Sequence, residues 1–332
     1  ELMCDFFKIF LENINRSNEV LFLQGVIYFE GKGIEQNYEK AIEYFEASAK
    51  LNNLGAYYML GNIYYEGKGV EQDHKKALEY FEKLTELNNS DVFYKLGAIY
   101  YEDQKADKAI KYLEKSAKLN NSDAICILGS IYYSGLIVEK NYTKAIEYFE
   151  ASTKLNNSEA FFKLGLIYYK GEEVKKSNEI AFKYMKKSAE LNNPNSFYFL
   201  GYFYSKGIGV EQNYTKAIEY FEKSAELNNA DALFSLGEMH HKAEGVEHND
   251  KKAIEYYKKS GKLKNPNAYR KLGSIYVYEK NYKKAAKYYK KSAQFNDSES
   301  LLILGYFYEY GQGVEQDIET AIEYYEKSAE LN

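Results

Sequence analysis

The sequence has little tryptophan, proline or cysteine. Its 332 residues include no tryptophan, two prolines and two cysteines, Cys4 and Cys126. Two cysteines cannot cross-link a chain of this length, so a reducing compartment is the simpler expectation, and we predict a cytoplasmic location. No signal peptide is visible, and no apolar run approaches the roughly 18 residues that a membrane span needs. We therefore expect no membrane contact.

Positive charge and catalytic patterns are also scarce. The chain carries 44 basic and 49 acidic residues, a formal charge of −5, and no basic block. Nucleic acid is therefore a poor candidate for a partner. No nucleophile–base pair, paired carboxylate constellation or cofactor loop is visible, so the sequence predicts a non-enzymatic protein without a cofactor or a metal site.

What the sequence has in quantity is an internal repeat. A glycine, which follows a leucine in all copies but the first, recurs at steps of 36 or 32 residues, and an alanine keeps the same rhythm. Two markers in phase indicate about nine copies of one unit. The glycines are Gly25, Gly61, Gly97, Gly129, Gly165, Gly201, Gly237, Gly273 and Gly305. The alanines are Ala41, Ala77, Ala109, Ala145, Ala181, Ala217, Ala253, Ala285 and Ala321.

Each unit predicts two helices joined by a glycine turn. The first helix follows an Asn-Asn pair whose second member, such as Asn53, is a good N-cap, and the second helix starts at another cap, such as Asp73. Pro194 and Pro266 each fall in the first helical position, where proline is tolerated. The copies of Gly97 and Gly273 lack four residues in the turn, which accounts for both 32-residue steps.

The apolar spacing of residues 1–17 predicts an amphipathic capping helix that covers the first repeat. Residues 18–332 then form one domain of stacked repeats. The last predicted helix is left uncovered, so end-to-end self-association is an open alternative.

The repeats resemble two related families. The first helix and the start of the second resemble the tetratricopeptide signature, with tyrosine in place of tryptophan: Tyr57-x2-Leu60-Gly61-x2-Tyr64 and Ala77-x3-Phe81. The longer turn is similar to that of the Sel1-like repeat: Glu66-Gly67-x-Gly69-Val70, then Asp73-x2-Lys76-Ala77. The resemblance covers about residues 18–332. It implies an all-α fold, a right-handed α-solenoid of about nine helix–turn–helix repeats of 32–36 residues, which acts as a scaffold for other proteins.

Aromatic residues are in excess, with 37 tyrosines and 19 phenylalanines. Two positions of the first helix, three before the glycine and four after it, are mostly aromatic and lie two turns apart on one face. In tetratricopeptide-like solenoids this face lines the concave groove, so we expect it to bind a protein or peptide partner. The alternative is that these rings only pack consecutive first helices together. The candidate residues are Tyr58, Tyr65, Tyr94, Tyr101, Tyr133, Phe162, Tyr169, Tyr198 and Phe234.

The sequence thus favours an adaptor that binds a partner in a tyrosine-rich groove. One alternative is a secreted or surface-exposed microbial effector that binds host proteins. A weaker one is an enzyme with a site at the irregular His240–His248 segment. There, His240 and His241 are adjacent and point about 100° apart on a helix, so they cannot both hold one metal ion.

Overall fold

The computed structural model describes residues 17–31, 33–171 and 173–331. Within these ranges it contains 18 α-helices, one short 3₁₀ helix and no β-strand. The all-α prediction is confirmed. The predicted capping helix lies outside the described residues, apart from Ser17, which is the N-cap of the first described helix. The handedness of the solenoid stays a prediction.

The helices are arranged in pairs, and each first helix packs on the second helix that follows it. The first helices are α1 (Asn18–Glu30), α3 (Leu54–Glu66), α5 (Ser90–Glu102), α7 (Ser122–Ser134), α9 (Ser158–Lys170), α11 (Pro194–Lys206), α13 (Ala230–Lys242), α15 (Pro266–Tyr278) and α17 (Ser298–Tyr310). The second helices are α2 (Tyr38–Lys50), α4 (His74–Glu82), α6 (Ala106–Lys118), α8 (Tyr142–Thr153), α10 (Asn178–Glu190), α12 (Tyr214–Glu226), α14 (Asp250–Lys262), α16 (Tyr282–Ala293) and α18 (Ile318–Glu330). The chain divides into two compact units, Glu1–Asn157 and Ser158–Asn332.

Most of the helices begin at side-chain caps, as predicted, although Lys105 makes no such bond at the start of α6. Asn53 Oδ1 accepts a hydrogen bond from the backbone N–H of Ala56 at 2.9 Å, which satisfies a donor that the helix leaves unpaired. Pro194 and Pro266 each start a helix. The first asparagine of each pair has a separate role, since Asn52 has a φ of 58°, in the left-handed region that asparagine tolerates. The Asn-Asn pair therefore ends one helix and starts the next.

A glutamine closes the turn between paired helices. Gly67, with a φ of 69°, ends α3, and Gln72 Nε2 then donates to the backbone oxygen of Tyr65 at 2.7 Å. In the shortened copies the turn is nearly absent, because α5 ends at Glu102 and α6 begins at Ala106. The four missing residues correspond to about one helical turn. Their loss shortens the connection, and the two helices still pack against each other.

The core of each pair is built over the repeated glycine. A Cβ added at Gly201 would lie 2.6 Å from Cδ1 of the buried Phe221, so only glycine lets this ring reach the backbone of α11. Ala217, which is fully buried, belongs to the same core cluster as Phe221. This contact offsets the cost of about 1 kcal/mol that glycine carries within a helix.

A second recurring contact is a stack of three rings, which we call the ring stack. In the pair α3–α4, Tyr80 lies between Tyr57 and Tyr64, with centroid distances of 6.3 and 5.9 Å. Tyr64 and Tyr80 therefore pack the two helices of the pair together. Lys76 Nζ lies 4.7 Å from the Tyr64 centroid, a cation–π contact at the rim.

Candidate protein-binding site

The predicted aromatic residues lie on the first helices. We call the side of each first helix that carries them the first-helix face. Most of them are half-buried, so each ring both packs and keeps some surface. Phe162 differs, because only 6% of it is exposed and it has little surface to offer a partner. Burial, followed by the nearby Tyr65 of the preceding first helix, raises the pKa of Tyr94 to about 12.

In the first unit the tyrosines link one first helix to the next. Tyr58 Oη donates to Asp91 Oδ2 at 2.6 Å, and its ring contacts Phe81 edge-on at 6.5 Å. Burial raises the pKa of Tyr58, and the hydrogen bond to Asp91 raises it further. Tyr58 therefore contributes to packing, as the alternative interpretation expected, whatever else it does.

Charged side chains surround the next tyrosine of this unit. Tyr65 stacks on His74 at 5.7 Å, and Lys95 Nζ lies 5.2 Å from the Tyr65 centroid. Lys95 Nζ is also 3.9 Å from a carboxylate oxygen of Glu66 and 4.0 Å from one of Asp91. The surface here mixes one ring with paired charges, so it is less apolar than the sequence predicted.

In the second unit the structure brings several predicted rings together around Phe199. Its ring lies 5.6 Å from Phe162, 6.3 Å from Tyr169 and 5.5 Å from Tyr198. Leu166, Tyr169 and Tyr202 are half-buried members of the same cluster. We call Leu166, Tyr169, Phe199 and Tyr202 the aromatic patch.

Three members of the aromatic patch were missed from the sequence. Phe199 stands two residues before the glycine, where other copies have lysine, serine or an aliphatic residue. Leu166 and Tyr202 stand one residue after it, at a position that varies between copies: Val26, Asn62, Ala98, Ser130, Glu238, Ser274 and Tyr306. The available signal was a departure from the repeat, whereas the prediction followed the positions that all copies share.

Further along the second unit the same face becomes charged. Phe234 packs against Tyr257 at 5.6 Å and borders a cavity of about 340 Å³. Charged residues from three helices line this cavity: Glu238, Arg270, Lys271 and Glu299. Arg270 forms an ion pair with Glu299. An apolar partner would find little to bind around Phe234.

Glu238 is the centre of that charged region. One carboxylate oxygen accepts from Tyr257 Oη at 2.6 Å and lies 3.0 Å from Lys271 Nζ, and the other lies 2.7 Å from Lys242 Nζ. Burial by itself would raise the pKa of Glu238, but the hydrogen bonds from Lys242, Tyr257 and Lys271 outweigh it and lower the pKa to about 2. Glu238 is therefore a structural anion.

The irregular histidine segment forms a small polar cluster in the turn between α13 and α14. His241 Nδ1 lies 2.8 Å from Asp250 Oδ1, and His248 Nε2 lies 3.2 Å from Asp250 Oδ2. The hydrogen bond to His241 is the main cause of the lowered pKa of Asp250. His248 Nδ1 also lies 2.8 Å from the backbone oxygen of His241, where it replaces the glutamine of other turns.

His240 points elsewhere and stacks on Tyr256 at 5.6 Å, in a tyrosine's place. Among the described residues no group of three histidine, cysteine or carboxylate side chains is arranged to hold a metal ion. None of the described helices is long and apolar enough to cross a bilayer.

Stacked helical pairs with capped starts and glycine turns define an all-helical solenoid of the tetratricopeptide-like class. The Sel1 repeat model matches residues 21–53, 55–89, 122–157, 158–193, 197–229, 230–265 and 298–332. The chain belongs to the Sel1 repeat family, whose members are in general scaffolds for protein–protein interaction. The tetratricopeptide repeat model matches residues 90–123 and 266–299, the two copies with the shortened turn.

Solved structures of the same class resemble this chain. A Sel1 repeat protein from Oxalobacter formigenes is 25% identical with a TM-score of 0.68, and the match covers 74% of this chain and 100% of that one. The protective antigen c5321 of uropathogenic Escherichia coli strains is 25% identical with a TM-score of 0.52, and the match covers 97% of this chain and 79% of that one. No curated protein matches the chain significantly.

Proposed function

We propose that this protein is a non-enzymatic adaptor that holds a partner segment on its first-helix face, with the aromatic patch as the main contact. The observation that carries the proposal is the convergence of Phe199 with Tyr169 and Tyr198, beside the half-buried Leu166 and Tyr202. Tyrosine and phenylalanine provide large contact areas with few rotamers to immobilise, and the tyrosine hydroxyl binds peptide backbone.

The charges next to the patch favour an acidic partner segment. The last turns of α9 and α11, the two helices that carry the patch, each hold an exposed lysine: Lys170 and Lys206. The first unit has Glu66 and Glu102 at the same position. Lys206 stands one helical turn beyond Tyr202, so a segment on that ring would meet a positive charge. A partner that carries aromatic and acidic residues complements this surface.

The test is capture of partners from the native source by immobilised wild-type protein and two matched variants. Leu166→Ser with Tyr202→Ser removes exposed parts of the patch, whereas Tyr278→Ser removes a tyrosine that is 91% exposed and lies outside it. We expect the double variant to lose the captured proteins and the control to keep them, with unchanged helicity in both. Equal capture by all three proteins would place the binding surface elsewhere.

A triple variant, Tyr65→Ala, Tyr101→Ala and Tyr133→Ala, tests the first unit in the same assay. Because Tyr65 lies among paired charges, we expect a smaller loss than for the double variant. A complete loss only in the triple variant would move the main contact to the first unit.

A second candidate function is that of a surface-exposed or secreted microbial effector that binds host proteins. It is supported by the similarity to c5321, which is a protective antigen. Protease treatment of intact cells of the native source separates it from the cytoplasmic adaptor. Digestion in intact cells supports the effector, and protection until lysis supports the cytoplasmic location.

A further inference from the structure

The second helices carry a site of a different kind in the pair α13–α14. A cavity of about 650 Å³ lies between α12 and α14, above Leu233 and Leu236 of α13. Its walls include Ala225, Tyr256 and Leu263. All of these residues belong to the second unit, and none belongs to the aromatic patch.

The cavity lies where other copies complete their own ring stack. Residues equivalent to Leu233 are aromatic in most copies and contact the tyrosine that is equivalent to Tyr256, at centroid distances of 6.2–6.4 Å. These rings are Tyr57, Phe93, Phe161, Phe197 and Tyr269. Leu21, Ile125 and Leu301 are aliphatic like Leu233. Tyr256 keeps one half of its stack, since His240 lies parallel to it at 5.6 Å.

The equivalent cavity of the first unit, where Tyr57 supplies the ring that Leu233 lacks, serves as the comparison. Tyr57 and Tyr80 line that cavity, which measures about 340 Å³ and reaches no core leucine. With Leu233 in place of the tyrosine, the cavity deepens to Leu236, which is 2% exposed. The added depth is therefore apolar and lies next to the ring of Tyr256.

Charges of both signs stand at the rim. Glu222 and Glu226 come from α12, and Lys259 and Lys262 come from α14. Lys259 Nζ lies 5.7 Å from the Tyr256 centroid, as Lys223 does at 5.6 Å from Tyr220. A rim with balanced charge favours a neutral side chain in the cavity over a charged one.

We propose that this cavity binds the aromatic side chain, phenylalanine or tyrosine, of a partner segment, which completes the ring stack of Tyr256. The chain itself supplies the template, because five of its other copies fill this place with one of those two side chains. The site is separate from the aromatic patch and does not depend on the function proposed for it. An adaptor with both sites would hold two segments.

The probe is N-acetyl-phenylalaninamide. Its binding to the full chain is measured by NMR, as changes in the chemical shifts of leucine methyl groups. We expect saturable shifts of the Leu233, Leu236 and Leu263 methyls, and about threefold or more weaker binding of N-acetyl-leucinamide, which cannot stack on Tyr256. Absence of saturable shifts, or equal affinity for the two probes, would overturn the proposal.

Two variants test the template argument directly. Leu233→Phe supplies the ring from within, as Phe197 does, and should abolish probe binding while the protein keeps its thermal stability. Tyr57→Leu makes the reverse change in the first unit and should create a new probe site that shifts the Leu60 methyls. Unchanged binding in Leu233→Phe, or no new site in a folded Tyr57→Leu protein, would contradict the proposal. Neither change touches the aromatic patch, so partner capture through Tyr202 should persist in both.

Discussion

Ser188 Oγ donates a hydrogen bond to the backbone oxygen of Ser158 at 2.6 Å, across 30 residues and from one helix of a pair to the other. Ser188 is fully buried. The bond ties the last turn of the second helix to the start of the first, so it fixes how far one helix slides along the other. It recurs in other pairs as Ser116–Ser90, Ser152–Ser122, Ser224–Pro194, Ser260–Ala230, Ser292–Pro266 and Ser328–Ser298.

The pair α3–α4 shows what happens without this donor. Leu84 stands in the serine's place, buried at 1% exposure. Helix α4 ends at Glu82 and is followed by the 3₁₀ helix Thr85–Leu87, so it is 9 residues long, where the other second helices have 12 or 13. An apolar side chain buries well at this position but cannot donate to the first helix.

We predict that Ser188→Ala lowers the stability of the second unit by about 1 kcal/mol, since a buried hydrogen bond is lost and the carbonyl keeps its helical partner. The measurement is the midpoint of urea unfolding. Ser274→Ala is the control, because Ser274 is exposed and bonds only within its own helix, to Lys271. A Ser188→Ala midpoint equal to that of the control would contradict a role for the bond.

The sequence predicted those structural features that depend only on residues close together in the chain. Caps such as Asn53, the glycine turn at Gly67 and the first-turn prolines depend on neighbouring residues, and all are found where expected. The serine bond was missed because its acceptor is chosen by the packing of two helices. A serine in a helix gives no hint of such a distant partner.

The candidate site was only partly predictable for a related reason. The repeat identified the rows of Tyr58 and Tyr65, but it gave every copy equal weight. The structure shows that side chains at positions that vary between copies, Phe199 and Tyr202, decide where rings cluster. The charges around Phe234 are brought together by three different helices, so no spacing along the chain reveals them.

The repeated glycines should differ in how they tolerate alanine. At Gly201 the new Cβ would meet the ring of Phe221 at 2.6 Å, and a buried ring cannot move aside. At Gly165 it would meet Cε, the flexible end of Met185, at 2.9 Å. We expect Gly201→Ala to lower stability by about 1–2 kcal/mol and Gly165→Ala to be nearly neutral. Thermal unfolding checks both, and equal losses would show that the neighbouring side chain is irrelevant.

The pH dependence of stability should contain a contribution from Glu238. Its pKa falls from an ordinary value of 4.5 to about 2, so its stabilising effect is complete above pH 4.5 and is lost as the pH falls toward 2. We expect on the order of 1–2 kcal/mol, reduced by solvent screening of a side chain that is 18% exposed.

The measurement for Glu238 is the difference in unfolding midpoint between wild type and Glu238→Gln from pH 7 to pH 2. Glutamine still accepts from Tyr257 but loses the attraction of Lys242 and Lys271. The difference should be largest above pH 4.5 and should shrink below it. A difference that is constant with pH would show that the charge on Glu238 does not stabilise the fold.

End-to-end self-association remains a prediction, and two apolar residues of the last described pair offer positions at which to test it. Leu302 is 53% exposed and Ile322 is 51% exposed, whereas the equivalent Tyr198 and Ile218 are half-buried. We expect light scattering to show a mass that rises with concentration and stays monomeric in a Leu302→Glu, Ile322→Glu variant. Leu136→Glu, at a turn residue that is 78% exposed, is the control. A constant monomeric mass of the wild type would rule this association out.

The most direct test of the adaptor proposal is site-specific photo-crosslinking in the native source. The photoreactive residue p-benzoylphenylalanine replaces Tyr202 in the aromatic patch or, as a control, Lys187, which is exposed on α10. The proposal predicts that partner proteins crosslink at position 202, that Lys206→Glu weakens this crosslink, and that position 187 yields none. Crosslinks of equal yield at both positions, or at 187 alone, would contradict it.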